Sequence, residues 1–67
     1  MRLEDFIRKL EFGTTLRIWS DYDQKVLYED KFSYEDCKEI EAEEWCCRNI
    51  IAIITSDDYV QIELVVE

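Results

Sequence analysis

The sequence has no histidine, no proline and a single glycine, Gly13, among its 67 residues. Without histidine, no side chain titrates near neutral pH unless its environment shifts it, so acid–base catalysis lacks its usual agent. One glycine excludes a phosphate loop, a dinucleotide loop and a nucleophile elbow, each of which needs several. Carboxylates are plentiful, but two-carboxylate chemistry also needs a concave pocket, which so short a chain can hardly enclose. The expectation is a binding protein, not an enzyme, with no cofactor. No apolar run approaches the roughly 18–20 residues that span a bilayer. The opening Met1-Arg2-Leu3-Glu4-Asp5 carries acids where a signal peptide would carry bases. A cytoplasmic location is expected by default.

Cysteine is also scarce. Cys37, Cys46 and Cys47 are too few and too oddly placed for a secreted disulfide framework. Adjacent cysteines rarely bond to each other, and with no histidine and no CxxC pair a zinc site would need an unusual ligand set. Reduced thiols are expected, with a link from Cys37 to Cys46 or Cys47 as the alternative, and no metal. Asp21-Tyr22-Asp23 begins like a calcium loop, but Lys25 and Val26 stand at a ligand and the turn-glycine position, and Phe32 replaces the closing Glu.

Bases are few as well: eight against seventeen acids, a net charge of −9. That balance repels nucleic acid and anionic membrane, and it suits either plain solubility or docking on a basic protein surface. What the chain does have is a 48% apolar fraction and nine aromatics, enough to fold as one domain over residues 1–67.

Leu3, Phe6, Ile7 and Leu10 recur at i, i+3, i+4 and i+7, which predicts a helix from Arg2 to Glu11. Gly13 then supplies a left-handed stop. Thr14–Ser20 and Lys25–Asp30 read as a hairpin of strands around the turn Asp21–Gln24. Ser33 is a candidate N-cap for a second helix beginning at Tyr34 and ending between Ile40 and Trp45, with Tyr34, Cys37, Ile40 and Trp45 on its apolar side. Asn49–Thr55 and Tyr59–Val66 read as a closing hairpin. The fold class is therefore α+β in the order αββαββ, with a four-stranded antiparallel sheet and two helices on one face.

Two features could carry function. From Glu35 to Glu44 the second helix holds Glu35, Asp36, Glu39, Glu41, Glu43 and Glu44 against Lys38 alone. Glu35, Glu39 and Glu43 fall at i, i+4 and i+8, so they would stack along one edge, with Asp36 and Glu44 widening the stripe. Read functionally, the stripe imitates a phosphate backbone offered to a basic groove; read structurally, it is a solvated helix face. Trp19, Tyr22 and Tyr59 would add contact area. The other feature is the strand Asn49–Thr55, apolar on both sides. Either Ile50, Ala52 and Ile54 or else Ile51 and Ile53 would face outward, beside Arg17, Trp19, Tyr59 and Val65. Such a patch marks an interface, as in a homodimer or adaptor, unless a helix covers each face.

The run Leu3-Glu4-Asp5-Phe6-Ile7-Arg8-Lys9-Leu10, then Gly13-Thr14-Thr15-Leu16-Arg17-Ile18 and Val26-Leu27-Tyr28, resembles small uncharacterised acidic proteins of phages and mobile elements in Gram-positive bacteria. The resemblance covers the first half and, loosely, the closing hairpin; it carries over no binding residue. Proteins of that kind include inhibitors of host defence, among them anti-CRISPR proteins. The resemblance thus implies a basic, nucleic-acid-binding defence protein as partner, a nuclease inhibited by an acidic mimic.

Overall fold

The first apolar stripe does form a helix, and a shorter one than its periodicity predicts. In the computed structural model, which describes residues 1–57 and 60–67, α1 spans only Leu3–Ile7. Beyond it Lys9 N–H donates to the Phe6 carbonyl (3.0 Å) and Leu10 N–H to that of Ile7 (3.3 Å). These i to i−3 bonds tighten the chain into a last turn that cannot propagate as an α-helix. The stripe survives the shortening: Leu3 and Ile7 are buried, and Phe6 and Leu10 pack half-buried against the same core. Gly13 is left-handed, at φ 96°. Its N–H donates to the Phe32 carbonyl at 2.7 Å, so it launches the first strand; it is not the expected helix stop, because α1 has already ended at Ile7 with Arg8 as its cap.

β1 (Thr15–Ser20) alternates as predicted, with Leu16, Ile18 and Ser20 buried and Thr15 and Arg17 exposed. It pairs antiparallel with β2 (Lys25–Lys31) across a turn in which Gln24 takes the left-handed conformation, at φ 55°. α2 (Tyr34–Ala42) starts where Ser33 caps it and stops at Glu43, whose backbone is extended. A 3-10 turn, Glu44–Cys47, then leads to β3 (Ile50–Thr55), which forms a hairpin with β4 (Gln61–Val66).

The strands lie in the order β2-β1-β4-β3, and the central pair, β1 and β4, is parallel. The sheet is therefore mixed, not wholly antiparallel as the succession of hairpins suggests. Parallel neighbours need a long connection, and residues 32–49, carrying α2 and the 3-10 turn, supply it. They carry the chain from the β2 edge to the opposite edge, where β3 is laid down. β4 then turns inward to fill the slot beside β1. Its alternation suits the centre: Ile62, Leu64 and Val66 stand opposite Leu16, Ile18 and Ser20, and Leu64 and Val66 are wholly buried. The core joins Leu3 and Ile7 of α1 and Ile40 of α2 to that one sheet face, with Phe32 beside them. Both helices thus cover the same face.

The strand that reads as apolar on both sides is β3, and a bulge resolves its faces. Ile50 stands opposite Val66, while Ala52 stands opposite Val65 and Ile53 opposite Leu64, with a register shift between Ile50 and Ala52. One extra residue reverses the alternation. Ile50 therefore lies on the helix-covered face and Ala52 and Ile54 on the open one, so the expected grouping of Ile50 with them does not hold.

Candidate functional site: an acidic surface around the second helix

Ser33 builds the start of α2. Its hydroxyl oxygen accepts the Asp36 N–H at 3.3 Å and donates to the Asp36 carboxylate at 2.9 Å. Asp36 is thereby committed to the cap and is half-buried, so it offers little to a partner. Glu35 and Glu39 lie one turn apart on α2 and are exposed. Glu43 and Glu44 are exposed too, but they follow the end of the helix. The expected stripe of Glu35, Glu39 and Glu43 breaks between its second and third members. Propagation fails there because Glu43 turns extended and the 3-10 turn must bring Trp45 back to the core. The acids are spread from the first turn of α2 to the 3-10 turn beyond it, not stacked in one line.

Arginine accounting explains why this surface stays negative. All four arginines have internal partners: Arg2 with Glu4 (3.7 Å), Arg8 with Glu41 (3.2 Å), Arg17 with Glu29 (3.3 Å) and Arg48 with Asp23 (2.8 Å). Glu41 is thus drawn toward Arg8, at the end of α1, while among the described residues no ion pair reaches Glu35, Glu39, Glu43 or Glu44. Lys38, the one base on α2, lies 4.8 Å from the centre of the Tyr34 ring.

The aromatic residues divide differently from expectation. Trp19 stands opposite Val65 on the open sheet face, on the far side of the sheet from α2, and is half-buried. Tyr22 is the most exposed large apolar side chain among the described residues, in the turn between β1 and β2. Tyr59 lies outside the described residues. Trp19 therefore cannot share one flat surface with the α2 acids. Phe12, which the sequence does not single out, and Tyr34, expected on the apolar side of α2, take that place. Phe12 and Tyr34 are 60% and 59% exposed, and their rings meet edge to face at 6.2 Å. Periodicity puts Tyr34 on the apolar side of α2, but as the first helical residue it projects past the edge of the core. The signal available in advance is its position directly after the cap.

Beneath the helix, the Tyr28 hydroxyl is buried with no hydrogen-bond partner among the described residues. Burial, and after it the nearby Asp36 carboxylate, raises its pKa, so it stays protonated. The Cys37 and Cys46 thiols are free, and burial, then Glu41 and Glu4 respectively, raises both pKa values.

On the open sheet face, Arg17, Glu29, Gln61, Glu63 and Ile54 line a shallow groove of about 490 Å³. Arg17 and Glu29 already pair with each other across the strands there. Among the described residues no cluster of three or more potential ligands could hold a metal ion, and no helix is long and apolar enough to cross a membrane. No protein-family model, curated protein or solved structure matches the chain.

Proposed function

We propose that the chain is a non-catalytic binding protein whose α2 surface docks on a basic groove of a nucleic-acid-binding protein. The observation that carries this reading is the unequal use of charge. Every arginine is consumed by an internal carboxylate, while Glu35, Glu39, Glu43 and Glu44 have no basic partner among the described residues and face solvent. Four uncompensated acids along α2 and just past it, with the exposed rings of Phe12 and Tyr34 at its start, combine long-range attraction for a basic surface with apolar area to hold it. Asp36 and Trp19 drop out of the contact set, for the reasons of capping and placement given above. The sequence resemblance extends the proposal to a host-defence nuclease as partner, inhibited in the cytoplasm of the host cell by occupation of its nucleic-acid channel.

A pull-down from a Gram-positive host lysate, followed by titration of the recovered protein, tests this. Glu35→Lys, Glu39→Lys and Glu43→Lys together should leave the fold intact, because exposed charges contribute only tenths of a kcal/mol to stability. They should weaken binding by orders of magnitude, since close interfacial charge pairs are often worth a few kcal/mol each. Wild-type affinity should also fall steeply with salt. Equal affinities for both proteins, insensitive to salt, would assign these acids to solubility alone.

A further inference from the structure

The two edges of the sheet are guarded very differently. β2, one edge, carries Lys25, Glu29, Asp30 and Lys31, the kind of charged edge that blocks strand addition. β3, the other, reads Ile-Ile-Ala-Ile-Ile-Thr and has no charge at all. Ile51, Ile53 and Ile54 are 52%, 50% and 56% exposed. A strand that apolar at an open edge is an invitation to pair with another chain.

The hydrogen-bond phase shows which backbone groups are on offer. Ser56 N–H donates to the Gln61 carbonyl at 3.0 Å, and Gln61 N–H returns to the Ser56 hydroxyl at 3.1 Å, so Ser56 and Gln61 stand at a bonded position of the ladder. In an antiparallel ladder bonded pairs recur every second residue. Ile54 with Glu63 is then bonded, and the N–H and C=O groups of Ile53 and Thr55 point away from β4. Nearer the start of β3 the open edge is already occupied: Ile50 N–H donates to the Met1 carbonyl at 2.8 Å, and Arg2 bridges Asn49.

We infer that β3 pairs antiparallel with β3 of a second copy of this chain, about a two-fold axis at Ile54. That axis sets Ile53 of each copy opposite Thr55 of the other, and all four outward residues then exchange backbone hydrogen bonds. Self-complementarity selects a second copy as the occupant: the outward N–H and C=O groups of Ile53 and Thr55, two residues apart, are met in full by the same two residues of an identical antiparallel strand. Two molecules of net charge −9 repel across most of their surfaces, but not along a strand that carries no acid. The product is a continuous eight-stranded sheet with its two acidic α2 surfaces free.

The test is mass by sedimentation equilibrium from micromolar to millimolar chain, with amide exchange followed at Ile53 and Thr55. The wild type should be a dimer at the upper end, and those two amides should gain protection as concentration rises. Ile54→Lys puts two like charges at the axis and should raise the dimer dissociation constant by roughly a hundredfold or more. Val26→Lys, on the opposite edge strand, should leave the dimer unchanged. A wild type that stays monomeric with rapidly exchanging Ile53 and Thr55 amides would overturn the inference. So would a folded Ile54→Lys protein that still dimerises like the wild type. Protection of those amides only on adding a different protein would also overturn it, and would give the edge to that protein.

Discussion

Ser20 shows how much one small side chain can organise. It is the one fully buried polar residue among those described, and its hydroxyl is used completely. It accepts from the Asp23 N–H and from the Arg48 guanidinium and donates to the Asp23 carboxylate, each at 3.0 Å. Arg48 also reaches Asp23 at 2.8 Å and the Glu67 carbonyl at 3.1 Å. The turn between β1 and β2 is thereby tied to the chain leaving the 3-10 turn and to the end of β4. The Arg48 hydrogen bond, and then that of Ser20, lowers the Asp23 pKa below its ordinary value. A lowered carboxylate favours the folded state only while ionised. Its contribution is complete above the unfolded value of about 3.9 and is lost as pH falls through the folded value. Asp23→Asn should therefore flatten the loss of stability between about pH 4 and the acid limit. Urea melts of wild type and variant across that range would check it; parallel pH profiles would show that Asp23 is not among the groups responsible.

At the scale of the element, α2 depends on its first turn more than on its length. It is nine residues long, short enough to be marginal in isolation. Ile40 is its one fully buried residue, and Glu35 and Asp36 face the positive end of its dipole. The Ser33 cap satisfies a donor that would otherwise be left open. Ser33→Ala should cost about 1 kcal/mol of stability, as loss of a capping hydroxyl commonly does. Denaturant unfolding would read that as a lower midpoint at unchanged slope, whereas Ser33→Asp should restore most of it. The periodicity of α1 and the Ser33 signal were both legible in the sequence, because each rests on contacts within one turn. The ends of the helices were not. α1 stops at Ile7 and α2 at Ala42 because the following residues must reach tertiary positions, Leu10 against the core and Trp45 back toward it.

At the scale of the whole molecule, one cluster of eight buried apolar residues among those described holds both helices to the sheet. The radius of gyration, 10.8 Å, matches the value of about 11 Å for a compact chain of this length. Stability per residue in small domains implies a total of roughly 3–10 kcal/mol. Truncating a buried leucine typically removes about 2–5 kcal/mol. Leu64→Ala, in the middle of the central strand β4, should therefore unfold a large fraction of the chain at physiological temperature. Circular dichroism on heating would show it as a broad transition begun at or below that temperature. A sharp transition close to that of wild type would mean that the core relaxes around the cavity.

The sequence by itself determined the elements: the α1 stripe, the cap at Ser33, the alternation along β1 and β4, and the excess of acid around α2. Each of these is set by neighbours within a few residues, and the chain carries that information locally. Tertiary structure alone decided the parallel pairing of β1 with β4, because strand order depends on where the crossover at residues 32–49 delivers β3. It decided the faces of β3, because a single bulged residue reverses every later side chain. It also decided which acids are free. Arg8 meets Glu41, and Arg48 meets Asp23, across separations of 33 and 25 residues. Those pairings, invisible to local spacing, leave Glu35, Glu39, Glu43 and Glu44 as the charge that the surface around α2 presents to solvent.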